Sequence, residues 1–224
     1  MPSLADAVWP DVPQAPLVLV PVGSIEQHGP HLPLDTDTVI AEAVCRRLAE
    51  ELPDAWVAPA LPYGSSGEHQ DFPGTSSIGT EGLQLILVEL VRSMLTWAGS
   101  VVFVNGHGGN TSALTRAVGQ LRHEGHDVRW YACATGEVDL HAGVTETSLL
   151  LHLRPESVRL DRAAPGNCAP VADLLPTLVT EGVRAASENG VLGDPTRAHA
   201  ETGRRVLEEM TGRIMAKLHP GRAA

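Results

Sequence analysis

The run Val101-Val102-Phe103-Val104 passes directly into Asn105-Gly106-His107-Gly108-Gly109-Asn110 and then into a segment with helical spacing from Thr111 to His123. Consecutive β-branched and aromatic residues closed by Asn-Gly read as a strand buried on both faces. A buried strand, a glycine-rich loop and a helix in immediate succession form one step of α/β alternation. The same step recurs outward from this point. Leu17 to Val22 reads as a buried strand ending at Gly23, followed by a helix over about Thr38–Glu50 with Val39, Ile40, Ala43, Val44 and Leu48 at helical spacing. Trp56 to Ala60 is a weaker strand. Thr80 or Glu81 to Trp97 reads as a helix with Leu83, Ile86, Leu87, Leu90, Val91 and Met94 on one side. Val128–Cys133 is a further strand, and helices are expected over Thr145–Leu153 and roughly Thr196–Leu218. The fold class expected is therefore α/β, a single-domain layered fold with a mostly parallel sheet flanked by helices. One domain spans 1–224, with residues 1–16 as an N-terminal extension.

Composition narrows the function classes. The 224 residues are 43% apolar and 19% charged, a balance that supports one large core without disulfides. A formal charge of −11 argues against nucleic acid or an anionic membrane as the main partner. Cys45, Cys133 and Cys168 are too scattered for a disulfide framework or a thiolate zinc site, and read as reduced thiols of a cytoplasmic protein. No apolar run approaches the roughly 18–20 residues of a membrane span, and residues 1–16 lack the pattern of a signal peptide. Ten histidines against eight aromatics is a high count whose meaning depends on location.

Three segments give those histidines a location. In Gly23-Ser24-Ile25-Glu26-Gln27-His28-Gly29-Pro30-His31, Glu26 and His28 are two apart, so an extended backbone turns both to one face. Asp37, just before the next helix, could fold back onto them. Carboxylate, imidazole and carboxylate suit Zn²⁺, Fe²⁺ or Mn²⁺; the plainer alternative is a helix-capping Asp and a solvated His. His107 lies beyond the carboxyl end of a buried strand, where open α/β sheets bind ligands, although a turn with an incidental His explains the glycines as well. In His141-Ala142-Gly143-Val144-Thr145-Glu146-Thr147-Ser148, Thr145 reads as an N-cap and Glu146 as a first-turn carboxylate favoured by the helix dipole. His141 could reach the same site as a proton donor. Glu68 and His69, in the loop Gly64–Thr75, are candidates for contact with substrate. His31 and Asp35 read either as partners that orient His28 and Asp37 or as plain helix-entry residues.

Together these blocks, with the loop from Glu68-His69 through Phe72-Pro73-Gly74-Thr75, resemble the creatininase (creatinine amidohydrolase) family over roughly Leu17 to Leu218. Gly190-Val191-Leu192-Gly193-Asp194-Pro195-Thr196 and Ala117-Val118-Gly119 resemble, more narrowly, the branch of that family that acts in mycofactocin maturation. The resemblance implies two divalent ions per chain, zinc, iron or manganese, bridged by Asp37. One would be held also by Glu26 and His107, the other by His28 and Glu146, with His141 as acid or base. It implies hydrolysis of an amide by metal-activated water. Creatinine-cleaving members carry a bulky residue and a carboxylate where this chain has Gly108 and Gly109. The implied substrate is instead a modified precursor peptide, cut before its C-terminal Val-Tyr, and the implied assembly a homo-oligomer, by resemblance a hexamer. The alternatives are another amidohydrolase of the family acting on a formamide or small cyclic amide, and a non-catalytic metal-binding subunit.

Overall fold

The computed structural model describes residues 2–136 and 139–218; of the expected domain 1–224, residues 1, 137–138 and 219–224 lie outside the described residues. Strands β1 (Leu17–Val22), β2 (Ala55–Val57), β3 (Ser100–Asn105) and β4 (Val128–Ala132) form one sheet in the order β2-β1-β3-β4, every neighbouring pair parallel. Parallel strands must be covered on both faces, which is why β1 and β3 are almost wholly apolar. Helices α1 (Thr36–Glu51), α4 (Val144–Leu153) and α7 (Ala200–Leu218) cover one face, packing Val44, Leu48, Leu149, Leu150 and Ile214 against Leu19, Val102 and Val104. Helices α2 (Gly79–Met94) and α3 (Thr111–His123) cover the other, packing Leu83, Leu87, Leu114 and Leu121 against Val18, Val20 and Phe103. The layered α/β expectation holds.

The chain leaves β1 through α1 towards β2 on one side, and β3 returns on the other side of β1. That reversal opens a crevice between the carboxyl ends of β1 and β3, the place where open parallel sheets bind ligands. Gly23–His28 leaves β1 there, and Gly106–His107 leaves β3 there.

Several boundaries differ from the sequence expectation. Helix α2 stops at Met94 rather than Trp97, because the chain turns through Leu95–Trp97 towards Gly99. Ile86 lies at the edge of the stripe formed by Leu83, Leu87, Val91 and Met94, and is 42% exposed. Pro195–Arg197 is a separate 3-10 turn closed by Asp194, which accepts from Thr196 N–H at 2.9 Å. Ala198 is extended after it, so α7 begins at Ala200 rather than Thr196. Thr145 is not an N-cap. Gly143 holds that position, and Asp139 Oδ2 accepts from Thr145 N–H at 3.0 Å instead. The Asp139 carboxylate packs so closely on Gly143 that any Cβ there would collide with it.

Between α4 and α7, residues 154–199 cross the open end of the crevice. They include α5 (Val171–Thr180), interrupted by Pro176, and the four-residue α6 (Val183–Ala186). Their own core is small: Leu174, Val183 and Leu192 with Phe72, Leu178 and Ala186. Among the described residues no helix is long and apolar enough to cross a membrane.

Candidate metal centre

Asp37, in the first turn of α1, is the centre of the site. Its Oδ1 lies 3.2 Å from His28 Nε2 and its Oδ2 3.3 Å from His107 Nδ1, while Ser24 Oγ donates to Oδ2 at 2.7 Å. The carboxylate therefore faces two ways. On one side His107 Nδ1 also lies 3.1 Å from Glu26 Oε1. On the other, His28 Nε2 is 3.9 Å from Glu146 Oε2. Asp37 does not cap its helix, so the plainer reading of that residue is excluded.

Each ring turns one nitrogen to a main-chain carbonyl and the other to Asp37. His107 Nε2 lies 3.0 Å from the Ser65 carbonyl and His28 Nδ1 lies 3.1 Å from the Glu26 carbonyl, so each donates there. That leaves the lone pairs of His107 Nδ1 and His28 Nε2 facing anionic oxygens, which is repulsive unless a cation or proton lies between. Backbone carbonyls orient metal-binding imidazoles in this way. Glu26 Oε2 is buried without a hydrogen-bond partner. Donor atoms of Glu26, His28 and Asp37, and of His28, His141 and Glu146, lie within 4.8 Å of one another in each group. The donor set fits divalent metal.

Electrostatics agree. Burial opposes charge on His28, but Asp37, Glu146 and Glu26 together outweigh it and raise the imidazole to about 10. Burial likewise opposes charge on His107, and Glu26 and Asp37 together outweigh it, lifting that ring well above its ordinary value. Asp37 is pulled well below the usual carboxylate range, burial notwithstanding, chiefly by His28. Protons thus take the places that cations would. Burial pushes Glu146 up to about 7, and Ala142 N–H donates to its Oε2 at 2.6 Å. Ala142 has φ 54° and is held in this left-handed conformation between His141 and the start of α4. Such strain costs about 1–3 kcal/mol and gathers at functional sites. Burial, with His28 next, holds His141 well below its ordinary value, so it is neutral.

Each of the other residues singled out in the sequence has a definite place. His141 Nδ1 is 3.9 Å from Glu26 Oε1. His69 is buried, with Nε2 3.3 Å from Glu26 Oε1. Glu68 is partly exposed, with Oε1 3.5 Å from His107 Nε2. His31 reaches Thr147 Oγ1 at 2.9 Å and Asp35 accepts from Arg154 at 3.0 Å; these two serve the packing of α4 and its C-terminal end. Ser24 and Gln27 are part of the site without having been singled out. The only sequence cue to them was their place beside Glu26.

Above these groups lies a cavity of about 1110 Å³. Glu26, Asp37, His107 and His141 line its floor, and Leu175 and Val179 of α5 are among its other walls. Gly108 opens onto free space, whereas a Cβ at Gly109 would collide with the Ser65 carbonyl, His107 Nε2 and Glu68. The room that two glycines suggest therefore exists at Gly108 alone.

The sequence profile of the creatininase family, described as creatinine amidohydrolase, matches residues 5–218. The chain belongs to the creatininase family. It is thereby a hydrolase acting on C–N bonds. Among its relatives in this family is a mycofactocin precursor peptide peptidase of Mycobacterium tuberculosis, 58% identical over 88% of this chain and 82% of that protein. Another protein of the same description, from Mycolicibacterium smegmatis, is 56% identical over 87% of this chain and 81% of its own length. A solved glutamate-to-glutamine mutant of creatininase, described as of Zn-Zn type, superposes with a TM-score of 0.79 at 26% identity, covering 99% of this chain and 98% of the other.

Proposed function

We propose that this creatininase-family chain is a two-metal peptidase that removes the C-terminal Val-Tyr dipeptide from a modified mycofactocin precursor peptide. The two-sided seating of Asp37 between His28 and His107 carries the metal half of this reading. The relatives described as mycofactocin precursor peptide peptidases support the substrate half. Asp37 would bridge the ions, with Glu26 and His107 completing one position and His28 and Glu146 the other. Ions so held would acidify a water and polarise the scissile carbonyl; zinc, iron and manganese all suit these donors.

The chain's own groups supply the rest. His141 would take up the proton of the attacking water and pass it to the departing amine. The cavity over the floor would receive the peptide, and the open space beside Gly108 leaves room for more than a small ring. Glu68 and His69 line the cavity as candidate substrate contacts. The peptide is the partner implied, with neither nucleic acid nor membrane required. The place of action would be the cytoplasm, and the assembly a homo-oligomer, a hexamer by resemblance to the family.

Incubating the metal-loaded protein with the enzymatically modified precursor tests the reading by mass spectrometry. Release of Val-Tyr is expected. No such release, together with turnover of a formamide, would replace it by the alternative amidohydrolase.

A further inference from the structure

The block Gly190–Gly193 has no part in the chemistry proposed above, yet it closes over the residue between two candidate ligands. Gln27 is buried, and its carboxamide is held at both ends. Oε1 accepts from Gly29 N–H at 2.8 Å, and Nε2 donates to the Gly190 carbonyl at 3.1 Å. Turning the amide over would set NH₂ against an N–H and oxygen against a carbonyl, so its orientation is determined. Gly190, at φ 77°, permits this approach, since a Cβ there would collide with the carboxamide.

Nε2 has a second hydrogen and two further neighbours, His69 Nδ1 and His141 Nε2, each at 3.0 Å. The main-chain carbonyl of Gln27 decides between them. It lies 2.7 Å from His141 Nε2 and can only accept, so His141 carries its hydrogen on Nε2 and offers the amide no lone pair there. The second amide hydrogen therefore goes to His69 Nδ1. His69 must then carry its own hydrogen on Nε2, the nitrogen that lies 3.3 Å from Glu26 Oε1.

We propose that Gln27, clamped by Gly190, is a positioning residue that fixes His69 as the tautomer with Nε2–H facing Glu26, while its main-chain carbonyl leaves His141 Nδ1 bare towards the ligand cluster. His69 on this account orients a ligand as well as lining the cavity. His141 Nδ1 becomes the atom that receives the proton of the attacking water and returns it to the leaving nitrogen. The inference rests on the proposed ligand role of Glu26.

Gln27→Glu is isosteric and removes the donor. An acceptor in its place draws the hydrogen of His69 to Nδ1 and leaves a bare Nε2 facing Glu26. Outer partners of metal ligands typically contribute ~10–100-fold in affinity or activity. The expected result is a fall in kcat of that order.

Long-range ¹H–¹⁵N correlation of the histidine rings in the zinc-loaded protein tests the assignment directly. His69 and His141 should both appear as Nε2–H tautomers. Gln27→Glu should turn His69 to Nδ1–H and leave His141 unchanged, and Gly190→Ala should disturb the His69 signal in the same sense. An Nδ1–H tautomer at either ring of the wild-type protein overturns the proposal, as does a His69 pattern indifferent to Gln27→Glu. The wild-type spectrum decides even where a variant fails to fold. It requires no substrate, so failure of the peptide assay would not be mistaken for failure of this inference.

Discussion

The layers built on the sheet and the segment 154–199 are held in different ways. Strands β1 and β3 and helices α1 to α4 and α7 bury long apolar stripes in two large cores. The crossing segment has short turns, a proline inside its longest helix, and only Leu174, Val183 and Leu192 fully buried in a core of its own. It leaves Leu175 53% and Val179 76% exposed. All five candidate metal ligands and His141 come from the first region. The second supplies α5 beside the cavity and the Gly190 clamp. Reactive groups need positions fixed to within about 0.5 Å, and only the closely packed region supplies that.

Removing a group from the rigid floor should have the largest effect. His107→Ala should lower peptide cleavage by at least ~10³-fold, since a bound metal contributes several kcal/mol and each ~1.4 kcal/mol is tenfold. Steady-state kinetics beside elemental analysis should show the activity and one metal equivalent lost together. Stability should divide in the same way. Leu149→Ala, in the larger core, should cost ~3–5 kcal/mol in urea unfolding, as buried leucine truncations there leave a cavity. Leu174→Ala should mainly speed hydrogen exchange of α5 amides, because a weakly anchored segment opens locally. Equal shifts of the unfolding midpoint by the two variants would erase the distinction.

Gly109→Ala should cost ~100-fold in kcat, the scale of a 1 Å misplacement at a reacting centre, by displacing His107. Gly108→Ala, facing open space, should stay near wild type in the same assay. The smallest effect belongs to the crossing segment. Val179→Ser should change KM a few-fold and shift stability by no more than ~0.5 kcal/mol. A loss of kcat as large as that of His107→Ala would place α5 in the chemistry after all.

The two regions also differed in how far their sequence could be read. Val101–Val104 and Leu17–Val22 are continuous apolar runs closed by glycine or Asn-Gly, a pattern that only a doubly covered strand explains well, and both appear where expected. Helix α3 runs from Thr111 to His123 as its spacing implied. Boundaries that depend on a side chain distant in sequence were displaced. Asp139 makes Gly143, not Thr145, the cap of α4, and Asp194 delays the start of α7. Within 154–189 no element is expected from the sequence; α5 is short, contains Pro176 and buries Leu174 alone. At the site, Glu26, His28, Asp37, His107, His141 and Glu146 were singled out in advance and all lie together. Gln27 was not, because its role depends on a carbonyl at Gly190 that no local spacing brings near.

Anomalous diffraction from crystals of the zinc-loaded protein tests the central claim most directly. The account predicts two peaks flanking the Asp37 carboxylate, one beside Glu26 and His107 and the other beside His28 and Glu146. A single peak, or peaks that do not touch Asp37, would contradict it.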